Sequence, residues 1–179
     1  MTFDQVVAGM PKSVRKDLQR LTEPGASLKG LEKGRDYKTL TVDPKKPEVI
    51  VPGEASDKPS GKARSHWFWL VQQGEFGVWP VGDDLDAPPQ KVKRKGEIFG
   101  ELVAFGLTTE RTATVKLYGG GGKGKGTPAA GQLLALNAKA LVKKALEGNR
   151  AATRLLLLAL LNECGRVIDM NGLIQLLRK

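Results

Sequence analysis

A six-residue run, HWFWLV at positions 66–71, constrains the fold of this chain more than any other feature. Aromatic and β-branched side chains favour strands, and four of these six residues are of those two kinds. The residues QQGE then lead into a second run, FGVW at 76–79, and this strand–turn–strand pattern predicts a hairpin. We therefore expect an antiparallel sheet at the centre of the fold.

Turn-forming residues also divide the remaining central part of the chain into short predicted strands. The 179 residues include 22 glycines and 10 prolines, which argues against an all-helical protein. Apolar and β-branched runs between these turns predict further strands, and polar or glycine-rich stretches predict loops. The further strands are expected at 48–54 (running into a turn), 112–117 and 133–136, and the loops at 55–65, 83–90 and 119–131.

Apolar residues recur at helical spacing near both ends of the chain. Residues 1–21 predict an amphipathic helix that Pro11 breaks into two pieces. The C-terminal part predicts three helices, at 138–146, 150–164 and 171–177. This order predicts an α+β fold: an antiparallel, jelly-roll-like β-roll with flanking N-terminal and C-terminal helices.

The length suits one domain with appended segments. We expect an N-terminal helical segment at 1–36, the β-roll at 37–146 and C-terminal helices at 147–179. The last of these is the predicted contact surface for a protein partner.

Composition excludes several classes of site. The single cysteine, Cys164, excludes an intramolecular disulfide and a multi-cysteine metal site, and its apolar helical surroundings predict a buried structural thiol. The chain has one histidine, no paired acid/base motif and no nucleotide-triphosphate loop. We therefore predict a protein that is not an enzyme and holds no metal and no cofactor.

Charge and hydropathy set the expected surroundings. The net charge of +10 implies attraction to anions, but it does not choose among nucleotides, nucleic acid, membranes and an acidic protein. No secretory segment opens the chain, and the apolar run Leu155–Leu161 is too short to span a bilayer. We expect a soluble, intracellular, cytoplasmic protein without a membrane span.

The segment 95–117, KGEIFGELVAFGLTTERTATVKL, carries the chemistry. Gly100 and Glu101 open a short apolar stretch that predicts one or two helical turns, where unpaired backbone N–H groups suit a phosphate. Arg111 follows ten residues after Glu101, so a segment that folds back on itself can bring its guanidinium to the same helix end. A forked guanidinium suits a phosphate, and a nearby carboxylate suits ribose hydroxyls.

This segment resembles the phosphate-binding cassette of cyclic-nucleotide-binding domains, whose pattern is FGELA followed by R(A/T)A(S/T)V. The matching residues are Phe99, Gly100, Glu101, Leu102, Arg111, Thr112, Ala113, Thr114 and Val115. The stretches at 47–54 and 67–79 are similar to the family's upstream strands and turns, and 133–146 resembles the strand and helix that close the roll. The resemblance covers about residues 37–165 and implies the same β-roll.

The resemblance implies that Glu101 binds the ribose 2′-hydroxyl and that Arg111 binds the cyclic phosphate of cGMP or cAMP. Thr112 is like the cassette of cGMP-dependent protein kinases, where this hydroxyl can bond a syn guanine, so cGMP is favoured over cAMP. No aromatic residue follows Tyr118, which leaves the aliphatic run Leu155–Leu161 as the expected cover for the base. The full implied ligand-binding set is Gly100, Glu101, Leu102, Val103, Arg111, Thr112 and Ala113.

Three functions remain open at this point. A regulatory module would relay the ligand state through its C-terminal helices. A ligand-free scaffold subunit of a larger assembly is the alternative, and Glu110, next to Arg111, offers a carboxylate that competes for the guanidinium. A DNA-binding regulator is the weakest, because only about 30 residues follow the roll, too few for a supported helix-turn-helix. We expect no DNA partner.

Overall fold

The computed structural model of the protein describes residues 8, 10–45, 49–51, 66–108, 112–118 and 130–177. Within these residues the chain forms eight strands and four helices. The strands are β1 (Tyr37–Val42), β2 (Val49–Val51), β3 (Trp67–Gln73), β4 (Phe76–Pro80), β5 (Lys91–Lys93), β6 (Ile98–Phe99), β7 (Ala113–Leu117) and β8 (Gly131–Asn137). The helices are α1 (Lys12–Leu21), α2 (Glu101–Ala104), α3 (Ala138–Leu146) and α4 (Arg150–Leu177).

The strands form two four-stranded sheets in which every pairing is antiparallel. The first sheet has the order β1–β8–β3–β6, and the second has the order β2–β7–β4–β5. The helices flank these sheets at both ends of the chain. The predicted α+β fold, an antiparallel β-roll with N-terminal and C-terminal helices, is confirmed.

The middle strands of the first sheet, β3 and β8, are buried on both faces, which explains why HWFWLV lacks a polar alternation. Phe68 of β3 lies opposite Leu136 of β8, and both side chains pack on the helices. One position along, Trp69 lies opposite Ala135, and this pair faces the second sheet. Because successive strand residues point to opposite faces, each strand supplies side chains to two separate cores.

The two cores have different partners. The core on the helix side joins α1, α3 and α4 to the first sheet, and the core between the sheets is smaller and more aromatic. Buried members of the helix-side core include Leu18, Leu70, Ile98, Ala104, Leu141, Leu155 and Leu158. The core between the sheets consists of Val42, Trp69, Val71, Phe76, Phe99, Val115, Leu117, Leu133 and Ala135.

The close approach of the two sheets requires a glycine at the start of β8. A Cβ on Gly131 would lie 2.7 Å from Leu117 Cδ1 and 2.7 Å from Phe76 Cζ, both in the core between the sheets. No side chain fits there without displacing these two neighbours. Gly131, which ends the glycine-rich run and begins β8, therefore has a structural role.

The predicted hairpin of β3 and β4 is wrong in its pairing. Both strands form where the sequence places them, but β3 pairs with β6 and β8, whereas β4 pairs with β5 and β7. Gly74 takes a positive φ of 84° between them. The turn carries the chain from one sheet to the other instead of closing a two-stranded ladder.

The C-terminal helices also differ from expectation. The segment 150–177 forms the continuous helix α4 of 28 residues instead of two helices, because one glycine at 165 weakens a helix without ending it. Helix α3 spans the predicted 138–146. Cys164 is exposed, so the prediction of a buried structural thiol is wrong.

At the N-terminus, α1 begins directly after Pro11, where the sequence places a break. Its Leu18 and Leu21 are buried, as an amphipathic helix requires. The piece before Pro11 and the loops at 55–65 and 119–129 lie largely outside the described residues.

Leucine truncation tests the helix-side core. Leu136→Ala should cost about 2–5 kcal/mol of unfolding free energy, because the side chain is 0% exposed between the first sheet and the helices. The matched control, Leu146→Ala, should change it by less than about 0.5 kcal/mol, since Leu146 is 85% exposed. Urea denaturation measures both, and equal small losses would contradict the two-sided burial of the sheet.

Candidate functional site

The candidate site begins where β6 ends. Gly100 has a φ of 79°, a left-handed conformation that glycine adopts without strain, and it turns the chain into the one-turn helix α2. The first hydrogen bond within this helix runs from Ala104 N to Gly100 O, at 3.3 Å. Among the N–H groups that precede it, those of Leu102 and Val103 have no acceptor inside the helix, and an N–H group in this position can donate to an anion.

Glu101, the first residue of α2, is the acidic member of the predicted set. Its side chain is buried, with 1% of its surface exposed. Burial of a carboxylate is costly, so acidic side chains are found inside proteins mainly where they accept hydrogen bonds. A carboxylate in this position can accept a hydrogen bond from a hydroxyl group of a ligand.

The core between the sheets holds both ends of the cassette. Phe99 precedes Gly100, and its ring stacks on that of Trp69 with 5.5 Å between centroids and 12° between planes. Val115 of β7 is buried in the same cluster. The cassette therefore leaves the first sheet at Phe99 and enters the second sheet at β7, and the two anchor points face each other across the roll.

The second half of the predicted set lies at the start of β7. Ala113 is the first residue of the strand and pairs with Pro80 of β4. Thr112, just before it, is exposed, and its carbonyl accepts a hydrogen bond from Val81 N at 3.3 Å. The side-chain hydroxyl of Thr112 is therefore on the surface of the roll.

The structure thus places most of the predicted residues but not all of them. Gly100, Glu101, Leu102 and Val103 share one turn, and the last two are half-buried. Arg111, together with Glu110, lies outside the described residues. Its assignment to the phosphate stays a prediction.

Sequence reasoning missed Asn162, which connects α4 to the cassette. Its Oδ1 accepts a hydrogen bond from Ile98 N at 3.2 Å, and its Nδ2 donates to Leu158 O at 3.0 Å. Ile98 is 0% exposed and stands two residues before Gly100. The one signal in the sequence is a lone amide within the leucine-rich run LLLLALLN.

The expected aliphatic cover is in part buried elsewhere. Leu155 and Leu158 are both 0% exposed in the helix-side core, where they pack with residues of the first sheet. Ala104 of α2 belongs to the same core. Helix α4 therefore supports the cassette from behind through these two leucines, whereas Leu160 of the same run is 59% exposed. The role of this run as a cover for the base stays a prediction.

The described part of the chain lacks two other features. None of its residues form a cluster of three or more histidine, cysteine, aspartate or glutamate side chains that could hold a metal. Among its helices, none combines the length and the apolar character needed to cross a membrane.

Comparison with known proteins extends this description. No protein-family model matches the sequence, and no curated protein matches it. The catabolite activator protein of Thermus thermophilus matches as a solved structure, with a TM-score of 0.50 and 16% identity, over 97% of this chain and 62% of that one. A cyclic nucleotide-binding domain from Methylobacillus flagellatus matches with a TM-score of 0.49 and 16% identity, over 78% and 66% of the two chains.

A third match is the N-terminal domain of a transcriptional regulator from Streptomyces coelicolor, with a TM-score of 0.47 and 16% identity, over 93% and 91% of the two chains. At 16% identity, these matches indicate a similarity of fold and nothing more. The chain has the antiparallel β-roll with flanking helices that its cyclic-nucleotide-binding neighbours share. The likeness of its cassette to that of cGMP-dependent protein kinases stays a prediction.

Removal of the Asn162 amide tests the link between α4 and β6. Asn162→Ala should lower the unfolding free energy by about 1–3 kcal/mol, because it leaves the buried Ile98 N–H without its acceptor. The control Thr153→Ala removes an exposed hydrogen bond on the same helix, from Thr153 Oγ1 to Asn149 O, and should change it by less than about 0.5 kcal/mol. Urea denaturation compares the two, and a neutral Asn162→Ala would exclude the link.

Proposed function

We infer that the protein is a cyclic-nucleotide-binding regulatory module that favours cGMP over cAMP. The observation that carries this proposal is Glu101, a buried carboxylate at the first residue of a helix that a left-handed glycine opens. It stands in a β-roll of the kind found in proteins that bind cyclic nucleotides. The segment that contains it matches the cassette pattern on both sides of the interval from Leu102 to Arg111.

In this proposal each part of the cassette has one task. Glu101 accepts a hydrogen bond from the ribose 2′-hydroxyl, and the backbone N–H groups of Leu102 and Val103 donate to the cyclic phosphate. Arg111 supplies the charge-assisted bonds to the same phosphate. Gly100 leaves the space that a Cβ would take from the ligand, and Ala113 keeps the start of β7 small.

Thr112 supports the preference for cGMP. Its side chain is exposed at the entrance to β7, and its carbonyl is held by Val81, so the backbone there is fixed. A hydroxyl on a fixed backbone can bond guanine in the syn conformation, and an alanine in its place cannot. This is the specificity determinant of the proposal.

The signal would leave the site through α4. Asn162 bonds Ile98, two residues before Gly100, and Ala104 shares a core with Leu155 and Leu158. A ligand that tightens α2 therefore acts on the same contacts that hold α4 against the sheet. Such a ligand shifts the equilibrium between positions of α4 only by the difference in its affinity for them. In this proposal the roll at 37–146 binds the ligand. The N-terminal segment 1–36 supports the roll, and the C-terminal segment 147–179 transmits the change.

A ligand-free scaffold is the second candidate, and exposed apolar side chains on α3 and α4 favour it. Val142 and Leu146 of α3 are 42% and 85% exposed, and Leu160 of α4 is 59% exposed. Apolar groups in this position suit contact with a protein partner. The two candidates differ in whether cyclic nucleotide stabilises the isolated protein.

Nucleotide binding decides between them. Purified protein should bind cGMP more tightly than cAMP, and cGMP at 100 times its Kd should add about 2.7 kcal/mol to the unfolding free energy. Arg111→Ala should weaken binding by about 100-fold or more, because the charge-assisted phosphate bonds are lost, while the unliganded melting temperature stays the same. Calorimetric titration and thermal unfolding measure these quantities.

The control for Arg111→Ala is Arg94→Ala. Arg94 is an exposed arginine paired with Glu75 outside the cassette, so its loss should leave the affinity unchanged.

Thr112→Ala should reduce the preference for cGMP without changing the affinity for cAMP. Tight binding that persists in Arg111→Ala would contradict the cassette assignment, and wild-type protein that cyclic nucleotide does not stabilise would favour the scaffold.

A further inference from the structure

A concave site lies away from the cassette, between α1, the loop after it and the beginning of α4. The cleft has a volume of about 550 Å³, within the range of small-molecule sites. Four cationic side chains from three separate segments line it, and Asp17 is the one acidic side chain that does so within the described residues. The four are Arg20, Lys29, Arg150 and Arg154.

The lining groups leave the cleft with three more positive charges than negative ones. Asp17 is engaged by Arg150 and Arg154, whose guanidinium groups both approach its Oδ2, the second at 3.7 Å. Arg20 and Lys29 are exposed and stand on the other two segments. Like charges that converge on one concavity repel each other, and a multivalent anion relieves that repulsion.

Hydrogen bonds and a close backbone approach hold the wall of the cleft in place. Asn149 Nδ2 donates to Lys29 O at 3.1 Å, and Asn149 Oδ1 accepts from Ala152 N at 2.9 Å. A Cβ on Gly30 would overlap the Asn149 side chain, so the loop can approach this closely only with glycine there. Asn149 already caps α4, and the attraction for an anion therefore comes from the cationic side chains.

We propose that this cleft binds the diphosphate group of a small organic phosphate. Pyrophosphate carries several negative charges at neutral pH, which matches the excess charge of the cleft. The arginine forks can bond its oxygens in pairs. The apolar wall contributed by Leu21 and Ala151 leaves room for a nucleoside-sized organic part. Since α1 and α4 both line the cleft, a bound diphosphate joins these helices.

Isothermal titration of the full chain with inorganic pyrophosphate at constant ionic strength tests this proposal. The expected result is saturable one-to-one binding that the double variant Arg20→Gln/Lys29→Gln weakens by at least about tenfold. The matched control, Lys139→Gln/Lys143→Gln, removes the same net charge from exposed positions on α3, outside the cleft, and should keep the wild-type affinity. Nucleoside diphosphate should bind more tightly than pyrophosphate if the apolar wall holds the organic part.

Three results would overturn the proposal. The first is no saturable binding of pyrophosphate, and the second is an equal loss in both double variants, which would mean attraction by net charge alone. The third is binding of a glutamate-rich peptide in preference to pyrophosphate, which would assign the cleft to an acidic protein segment. Arg111→Ala separates this site from the cassette, because pyrophosphate binding should be unchanged in that variant even where cyclic nucleotide no longer binds.

Discussion

The pairing of β3 with β8 is the interaction on which the rest of the structure depends. These two strands run through the middle of the first sheet and are buried on both faces. Their alternate residues supply one core against the helices, with Phe68 and Leu136, and another against the second sheet, with Trp69 and Ala135. A shift of the register by one residue would exchange the two sets and leave neither core with its proper shapes.

The packing of the first sheet between two cores also fixes the position of the candidate site. Strand β6 lies at the edge of the same sheet, with Phe99 turned toward the second sheet and Ile98 toward the helices. The turn at Gly100 is therefore fixed from both sides, and α2 starts from a defined position. Asn162 adds a hydrogen bond from α4 to this strand. In the proposed function, these contacts are the route by which the site acts on α4.

Sequence reasoning located the elements better than it located their partners. The five predicted strand runs, the helix after Pro11 and the turn at Gly100 follow from local propensity, and each lies close to where it was expected. Strands β1, β5 and β6 were not predicted. The pairing of β3 and β4 was wrong because a short turn with glycine closes a hairpin or turns a corner between sheets, and only the tertiary packing distinguishes them.

The C-terminal errors have a similar cause. The pattern around residue 165 predicted a break, but one glycine weakens a helix without ending it. Leu155 and Leu158 were expected over a ligand, and they lie in the helix-side core instead, since a leucine pattern does not say which surface it covers. Asn162 shows the reverse case, because the role of an amide in an apolar run depends on a backbone group 64 residues away.

Amide hydrogen exchange with and without saturating cGMP tests the central claim, that cassette and α4 respond to one ligand. The account predicts slower exchange at 100–104 and, in the same experiment, around Asn162 on α4, because the Ile98 bond connects them. The loop at 83–90 should serve as the internal reference and stay unchanged. Exchange that cGMP leaves unaltered at 100–104, or that it slows there without any change around Asn162, would contradict the account.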